Sequence, residues 1–307
     1  MTTETRIIES GQMAAPPAEI RFLRLPGRDL FAARSERLRH LSAGHPLGEY
    51  LAFLALLGDS QQAALTRFPD VPLPDAAEQA LCRGHGMPLL DARSRRRDPA
   101  WREGLTMILR QMGGAALPTA AREAVSGLLQ CGASGLEERA DLILAGDLAP
   151  VPSRELPFVA AALQVYWVHT ALALGDRAFG RLHEAGVCPV CGSCPNVGIV
   201  QGSGAEQGLR YLCCSLCCTQ WHMVRITCSS CASTGGIDYY ILKGSNGTVK
   251  AECCADCGTY LKLLYLEKDG LMEATADDLA TLTLDMLMDD RGTARCGPNL
   301  LFYPGGV

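Results

Sequence analysis

The sequence predicts an α+β protein, in which an N-terminal all-α domain precedes two tandem rubredoxin-like or zinc-ribbon tetracysteine modules and a C-terminal helix. Three observations support this fold class. Apolar residues recur at three- and four-residue steps up to about residue 182, short β-type segments follow, and four C-x-x-C pairs lie between Cys188 and Cys257. A chain of 307 residues is long enough for more than one domain.

The change in periodicity near residue 186 and the cysteine spacing divide the chain into five segments. We predict a flexible N-terminal tail (1–27), an all-α helical domain (28–185), a first tetracysteine module (186–227), a second tetracysteine module (228–270), and a C-terminal helix with its tail (271–307).

Helical periodicity continues through most of the predicted all-α domain, and glycines and prolines interrupt it. Helices are predicted over 29–41, 48–65, 101–112, 119–130, 136–145 and 154–182. Asp75 is a plausible N-cap after a proline-rich loop. The most apolar stretch, 158–174, is short for a membrane span and contains Gln164, which favours a buried core helix and no membrane insertion.

The cysteine pairs form an internal repeat with a period of 40 residues. Adding 40 to Cys188, Cys191, Cys214 and Cys217 gives Cys228, Cys231, Cys254 and Cys257. Two C-x-x-C turns that face each other can direct four sulfur atoms at one metal ion. The spacing therefore predicts two metal sites of four cysteines each, and metal binding would supply much of the folding free energy of such small units.

Other uses of these cysteines are less consistent with the pattern. Disulfides remain possible in principle, but paired C-x-x-C motifs in register favour metal. A thioredoxin-like motif needs one C-x-x-C, whereas this chain has four. The extra thiols Cys194, Cys213, Cys218 and Cys253 do not fit the repeat and knuckle spacing together, and we interpret them as packing thiols or thiols adjacent to the ligands.

After residue 186 the pattern indicates short strands, over 197–200, 209–212, 221–226, 238–242, 248–251 and 260–266. Each repeat thus consists of a knuckle, a hairpin, a second knuckle and an exit strand. Gly192 and Gly258 directly follow a C-x-x-C, where a positive φ is expected. A final helix is predicted over 273–289, with Leu279, Leu282 and Met286 as its apolar stripe.

Charge and the N-terminal sequence restrict the function. The net charge is −5, and the metal region carries most of it, which disfavours nucleic acid as a partner. No secretory signal is recognisable at the N-terminus, so we expect a cytoplasmic protein, where clustered reduced thiols favour metal over disulfides. No constellation of nucleophile, base or paired carboxylates indicates an enzyme.

The C-terminal 120 residues or so resemble the FdhE family of formate dehydrogenase accessory proteins. The matching segments are CPVCGS (188–193), GLRYLCCSLC (208–217), QWHMVRITCSSC (220–231), CADCGTYLKLLY (254–265), EKD (267–269) and ADDLATLTLD (276–285). The helical half agrees with the family in length and order and offers weaker matches.

The resemblance implies a function that spacing alone does not give. It implies a cytoplasmic maturation factor that binds the molybdenum-containing catalytic subunit of formate dehydrogenase before twin-arginine export. It also implies that the eight paired cysteines hold two rubredoxin-type iron ions, with zinc as the alternative because four thiolates accept either metal. A rubredoxin-type electron-transfer protein is the alternative function, and a zinc-ribbon nucleic-acid binder is a weaker one.

Overall fold

The computed structural model describes residues 20–302, which form a helical part followed by one mixed β-sheet. The helices of the helical part are α1 (Leu30–Ser42), α2 (Gly48–Thr66), α3 (Ala76–Gly84), α4 (Ala100–Gly113), α5 (Thr119–Gln130), α6 (Ala133–Ala145) and α7 (Leu156–Leu174). The predicted all-α region and the cysteine-containing sheet that follows it are therefore confirmed. The Asp75 side chain accepts a hydrogen bond from Glu78 N at 2.8 Å, as its predicted N-cap role requires.

Helix α7 is the centre of the helical part and is buried along nearly its whole length. Among residues 20–302 it is the one helix long and apolar enough to cross a membrane, but 83% of that segment is buried inside the protein. The prediction that this helix continues to residue 182 is wrong. It ends at Leu174 because Gly175 adopts a positive φ of 75°, a conformation that favours glycine and terminates a helix.

The sheet contains eight strands within the described part of the chain, and the two cysteine modules share it. Its strands are β1 (Leu23–Arg24), β2 (Pro195–Val200), β3 (Arg210–Cys214), β4 (Gln220–His222), β5 (Ile237–Tyr240), β6 (Val249–Cys254), β7 (Thr259–Tyr265) and β8 (Ala294–Arg295). The order is β1-β4-β3-β2-β7-β6-β5, and β8 also pairs with β7. The parallel pairing of β2 with β7 joins the first module to the second.

Strand β1 lies in the segment that the sequence analysis predicted as a tail. Leu23 pairs with Trp221 and Arg24 with Gln220, so this short strand covers the outer edge of β4. Residues 1–19 of the predicted tail lie outside the described residues.

The cysteines repeat without interruption, but the strands between them do not repeat in register. Val197 pairs with Cys213, whereas its repeat mate Ile237 pairs with Cys254 rather than Cys253. An irregularity between Pro195 and Val197 shifts the first hairpin by one residue, and the second hairpin has no such irregularity.

The predicted C-terminal helix is interrupted and forms α8 (Ala274–Leu279) and α9 (Leu282–Asp290). Lys262 Nζ and Thr281 Oγ1 both donate to the carbonyl of Asp278, at 2.7 and 3.1 Å, and this carbonyl would accept the next bond of a continuous helix. The break also changes the buried face. Leu279 is buried as predicted, but Met286 is 68% exposed, while Leu284 and Met288 pack beneath the sheet.

Candidate metal centres

The structure brings the eight predicted cysteines together as two separate groups. In each group the four sulfur atoms lie within 4.8 Å of one another. The first cluster contains Cys188, Cys191, Cys214 and Cys217, and the second contains Cys228, Cys231, Cys254 and Cys257. All fifteen cysteines are free thiols, so no disulfide competes for these sulfur atoms.

Four similar turns build the two clusters, and the residue after each C-x-x-C pair has a positive φ. The values are 72° for Gly192, 56° for Cys218, 60° for Ala232 and 67° for Gly258. The expected positive φ is therefore present at both glycines, and the other two turns adopt it without glycine. Because side chains other than glycine rarely adopt this conformation, the turn geometry and not the residue type dictates it.

Backbone hydrogen bonds fix these turns and point at sulfur. The N–H groups of Leu216 and Cys217 donate to Cys214 Sγ at 3.3 and 3.4 Å. In the second cluster, Ser230 N and Cys231 N donate to Cys228 Sγ at 3.3 and 3.5 Å. Such bonds stabilise a thiolate, which is the form of cysteine that binds metal.

The sulfur positions fit a tetrahedral metal ion. Metal–sulfur bonds of about 2.3 Å place tetrahedral sulfur atoms about 3.8 Å apart. The close sulfur–sulfur distances are 3.4–3.6 Å in the first cluster and 3.6–3.7 Å in the second. A small expansion would therefore accommodate one ion in each cluster, bound through four sulfurs with no open coordination position.

Two threonine hydroxyls contact cysteine sulfurs, and the sequence analysis did not identify them. Thr219 Oγ1 lies 3.2 Å from Cys217 Sγ, and Thr259 Oγ1 lies 3.0 Å from Cys257 Sγ. The two threonines are 40 residues apart, so the repeat would have found them if it had been applied to residues other than cysteine. A hydroxyl that donates to sulfur adds to the stabilisation of a thiolate.

The two clusters differ in their access to solvent. All four cysteines of the first cluster are buried, whereas Cys231 and Cys257 of the second are exposed. The helical part covers the first cluster directly, since Ala92 N donates to the carbonyl of Cys191 at 3.0 Å and Leu90 N to that of Val190 at 2.9 Å. The second cluster lies at the far end of the sheet.

The electrostatics of the thiols follow this difference. Burial raises the pKa of Cys188 and Cys214 well above the usual value. Burial opposes ionisation of Cys191 too, but hydrogen bonds from the three other thiols outweigh it and hold the pKa of Cys191 well below the usual value. In the second cluster, burial slightly disfavours the Cys257 thiolate, yet hydrogen bonds from Thr259 lower the pKa of Cys257 to about 7.

The extra cysteines belong to neither cluster. Cys218 Sγ accepts a hydrogen bond from the buried Arg34 at 3.4 Å. Cys213 and Cys253 lie in the apolar core between the sheet and α9. Cys194 is half-buried, and Cys296 Sγ lies 3.2 Å from Ser230 Oγ. The contact from Arg34 joins residues far apart in the chain and had no signal in the sequence.

Comparison with known proteins places the whole architecture in one group. Three family models match: FdhE, N-terminal, over residues 20–184; FdhE, central domain, over 187–225; and FdhE, C-terminal domain, over 226–302. An FdhE homolog of Edwardsiella ictaluri is 44% identical over 277 residues, which are 90% of this chain and 89% of the relative. An FdhE homolog of Enterobacter sp. is 42% identical, over 91% of this chain and 89% of the relative.

A solved structure shows the same fold. The crystal structure of the FdhE protein from Pseudomonas aeruginosa has a TM-score of 0.86 and 39% sequence identity to this chain. The match covers 93% of this chain and all of the other. The similarity therefore includes both the helical part and the two cysteine clusters.

Proposed function

The chain belongs to the FdhE family, and on that premise we propose that it is an accessory protein for formate dehydrogenase. We propose that it binds the molybdenum-containing catalytic subunit in the cytoplasm before twin-arginine export. In this proposal it is not an enzyme, and each of its two cysteine clusters binds one metal ion.

The observation that carries the proposal is the pair of four-cysteine clusters within a fold that matches the family along nearly its whole length. Conversion of substrate would require an open metal position or a nucleophile with its base, and the clusters offer four sulfur ligands to one ion. The chain's own residues would hold the ion, orient the thiolates through backbone N–H groups, and exclude water from the first cluster.

Iron is the metal that we propose, with zinc as the alternative. Iron held by four thiolates changes oxidation state by one electron, whereas zinc would be structural only. The Thr219 and Thr259 hydroxyls and the N–H groups that donate to Cys214 and Cys228 would serve either metal equally.

Co-purification tests the proposed partner. The tagged full-length protein and the catalytic subunit are produced together without oxygen, and the bound fraction is measured under reducing conditions. An exported twin-arginine enzyme without molybdenum is the control. We expect the catalytic subunit to be retained and the control enzyme to be lost, and equal or no retention of both would contradict the proposal.

Electron transfer is the second candidate function, and the exposure of Cys231 and Cys257 favours it. A metal that exchanges electrons with a partner needs such a surface, whereas a purely structural site does not. Reversible loss of a visible absorption band, at a rate coupled to turnover of formate dehydrogenase, would favour this candidate. Absorption that does not respond to the partner's redox state would eliminate it.

A zinc-ribbon nucleic-acid binder is disfavoured by charge. Contacts to phosphate need lysine and arginine, whereas the net charge is −5 and is concentrated in the metal region. We also propose that the protein does not insert into a membrane, because the apolar helix α7 packs inside the helical part.

A further inference from the structure

The outer edge of strand β5 is open. In the described part of the chain β5 is the last strand of the sheet, and no strand pairs with its outer side. At the opposite end, β1 covers the outer edge of β4. An open edge presents unpaired backbone groups that readily pair with another strand.

The internal repeat shows what covers the same edge in the first module. Strand β2 occupies the position of β5, and its outer edge pairs in parallel with β7, from Val197 opposite Lys262 to Val200 opposite Tyr265. The one-residue shift of the hairpins makes Tyr239 the structural counterpart of Gly198. The second module therefore repeats an edge that accepts a parallel strand, without supplying the strand.

The register identifies the backbone groups that are free to pair. Ala255 N donates to the carbonyl of Gly236 at 2.8 Å, so Gly236 directs its backbone groups toward β6. Because these directions alternate along a strand, Asp238 and Tyr240 also face β6, whereas the N–H and C=O groups of Ile237 and Tyr239 point outward.

The side chains along this edge differ between the two faces of the sheet. Tyr239 and Ile241 are 41% and 53% exposed on one face. Asp238 is exposed on the other, and no cation of the described residues lies within salt-bridge distance of it. An added strand with apolar side chains on one face and a lysine or arginine on the other would match both.

We propose that the outer edge of β5 binds an extended segment of the formate dehydrogenase catalytic subunit as an added parallel strand. The segment alternates apolar residues, which contact Tyr239 and Ile241, with a basic residue near Asp238. This inference rests on the proposed function and names the surface through which it acts. The added strand lies beside the exposed second cluster.

A second copy of the chain fits this edge less well. The strand that fits the equivalent edge, β7, is already paired on both sides within the sheet. Antiparallel pairing of two β5 strands would place two Asp238 carboxylates on the same face, where like charges repel.

Two substitutions at Tyr239 test the proposal. Tyr239→Pro removes the outward N–H, which an edge strand tolerates, and Tyr239→Thr removes the same ring and hydroxyl but keeps the N–H. Both retain the inner pairing with β6. We expect Tyr239→Pro to raise the Kd for the anoxically purified catalytic subunit about tenfold or more relative to Tyr239→Thr. Hydrogen exchange in the wild-type complex should show new protection of the Tyr239 amide.

The outcomes separate this proposal from the proposed function. If the complex forms but the Tyr239 amide stays unprotected, or both variants bind equally, the edge is not the docking surface and the accessory function stands. If the wild-type protein binds no catalytic subunit, both proposals fail. Concentration-dependent protection of β5 in the protein alone would assign the edge to self-association and overturn the inference. Should Tyr239→Pro fail to fold, the wild-type exchange measurement still decides.

Discussion

The side-chain amide of Gln164, in the middle of helix α7, donates a 2.8 Å hydrogen bond to the backbone carbonyl of Ser215, between Cys214 and Cys217. Gln164 Oε1 accepts hydrogen bonds from Arg34 and Gln61 at 3.0 and 3.1 Å. Arg34 also donates to Cys218 Sγ at 3.4 Å and to Glu273 at 3.1 Å. A buried polar network thus joins the helical part to the first cluster.

Replacing Gln164 should destabilise the protein through this network. Gln164→Leu leaves the Ser215 carbonyl and one Arg34 N–H buried without partners, which costs about 1–3 kcal/mol for each group. We expect the free energy of unfolding in urea to fall by at least about 2 kcal/mol. Gln130→Leu, at an exposed helical position, is the control and should change it by less than about 0.5 kcal/mol. Equal effects would contradict a supporting role for the network.

Gly186 is the point where the chain before the first cluster approaches the second. A Cβ at this position would lie 2.0 Å from the backbone oxygen of Ser229, which follows Cys228. Gly186→Ala should therefore displace this turn and destabilise the fold by about 1–3 kcal/mol.

Metal retention should report the same displacement. We expect Gly186→Ala to lose metal from the second cluster faster than the wild type. Gly235→Ala is the matched control, because a Cβ there meets no atom within 4 Å. Indistinguishable metal loss from the two variants would show that the contact at Ser229 is unimportant.

Neighbouring aspartates in α8 should respond to pH in opposite directions. Burial alone would raise the pKa of Asp278, but Arg295 and Lys262 outweigh burial and lower it. Burial raises the pKa of Asp277 in spite of its ion pair with Arg37. Ionised Asp278 therefore stabilises the fold above its ordinary pKa of 3.8, and this contribution is lost as the pH falls through the lower folded-state pKa.

Substituting each aspartate separates the two effects. Asp278→Asn should cost about 3 kcal/mol at pH 7, because Lys262 and Arg295 lose a buried partner, and should make the free energy of unfolding less dependent on pH below about 4. Asp277→Asn should not reduce that acid dependence. Both variants share any acid-induced loss of metal, so the difference between them isolates Asp278. A steep acid dependence that persists in Asp278→Asn would contradict the assignment.

The difference in exposure predicts two rates of metal release. A chelator can approach Cys231 and Cys257 directly, whereas the first cluster must open locally before it can react. We expect two kinetic phases of equal amplitude when the native protein is mixed with a chelator. Cys257→Ser should abolish the fast phase and Cys217→Ser the slow one, and a single phase in the wild type would contradict this difference.

Much of the fold and the candidate site follows from local sequence patterns. The spacing of Cys188 and Cys228 and their partners predicts both clusters, because a C-x-x-C turn is a local structure that repeats with the sequence. Most helices were predicted to within a few residues for the same reason. The N-cap at Asp75 also depends on neighbouring residues alone.

The features that sequence did not predict depend on residues far apart in the chain. The break between α8 and α9 comes from Lys262, a buried cation on β7 that takes the carbonyl of Asp278. The parallel pairing of β2 with β7 merges two units that the repeat presents as separate. The hydrogen bond from Arg34 to Cys218 joins residues 184 positions apart.

Metal content after purification without oxygen tests the central claim most directly. We expect the wild-type protein and Cys194→Ser to contain two iron or zinc ions per chain, and Cys191→Ser and Cys231→Ser to contain one each, because each loses a ligand of a different cluster. A wild-type protein without bound iron or zinc, or with native disulfides between these cysteines, would contradict the account.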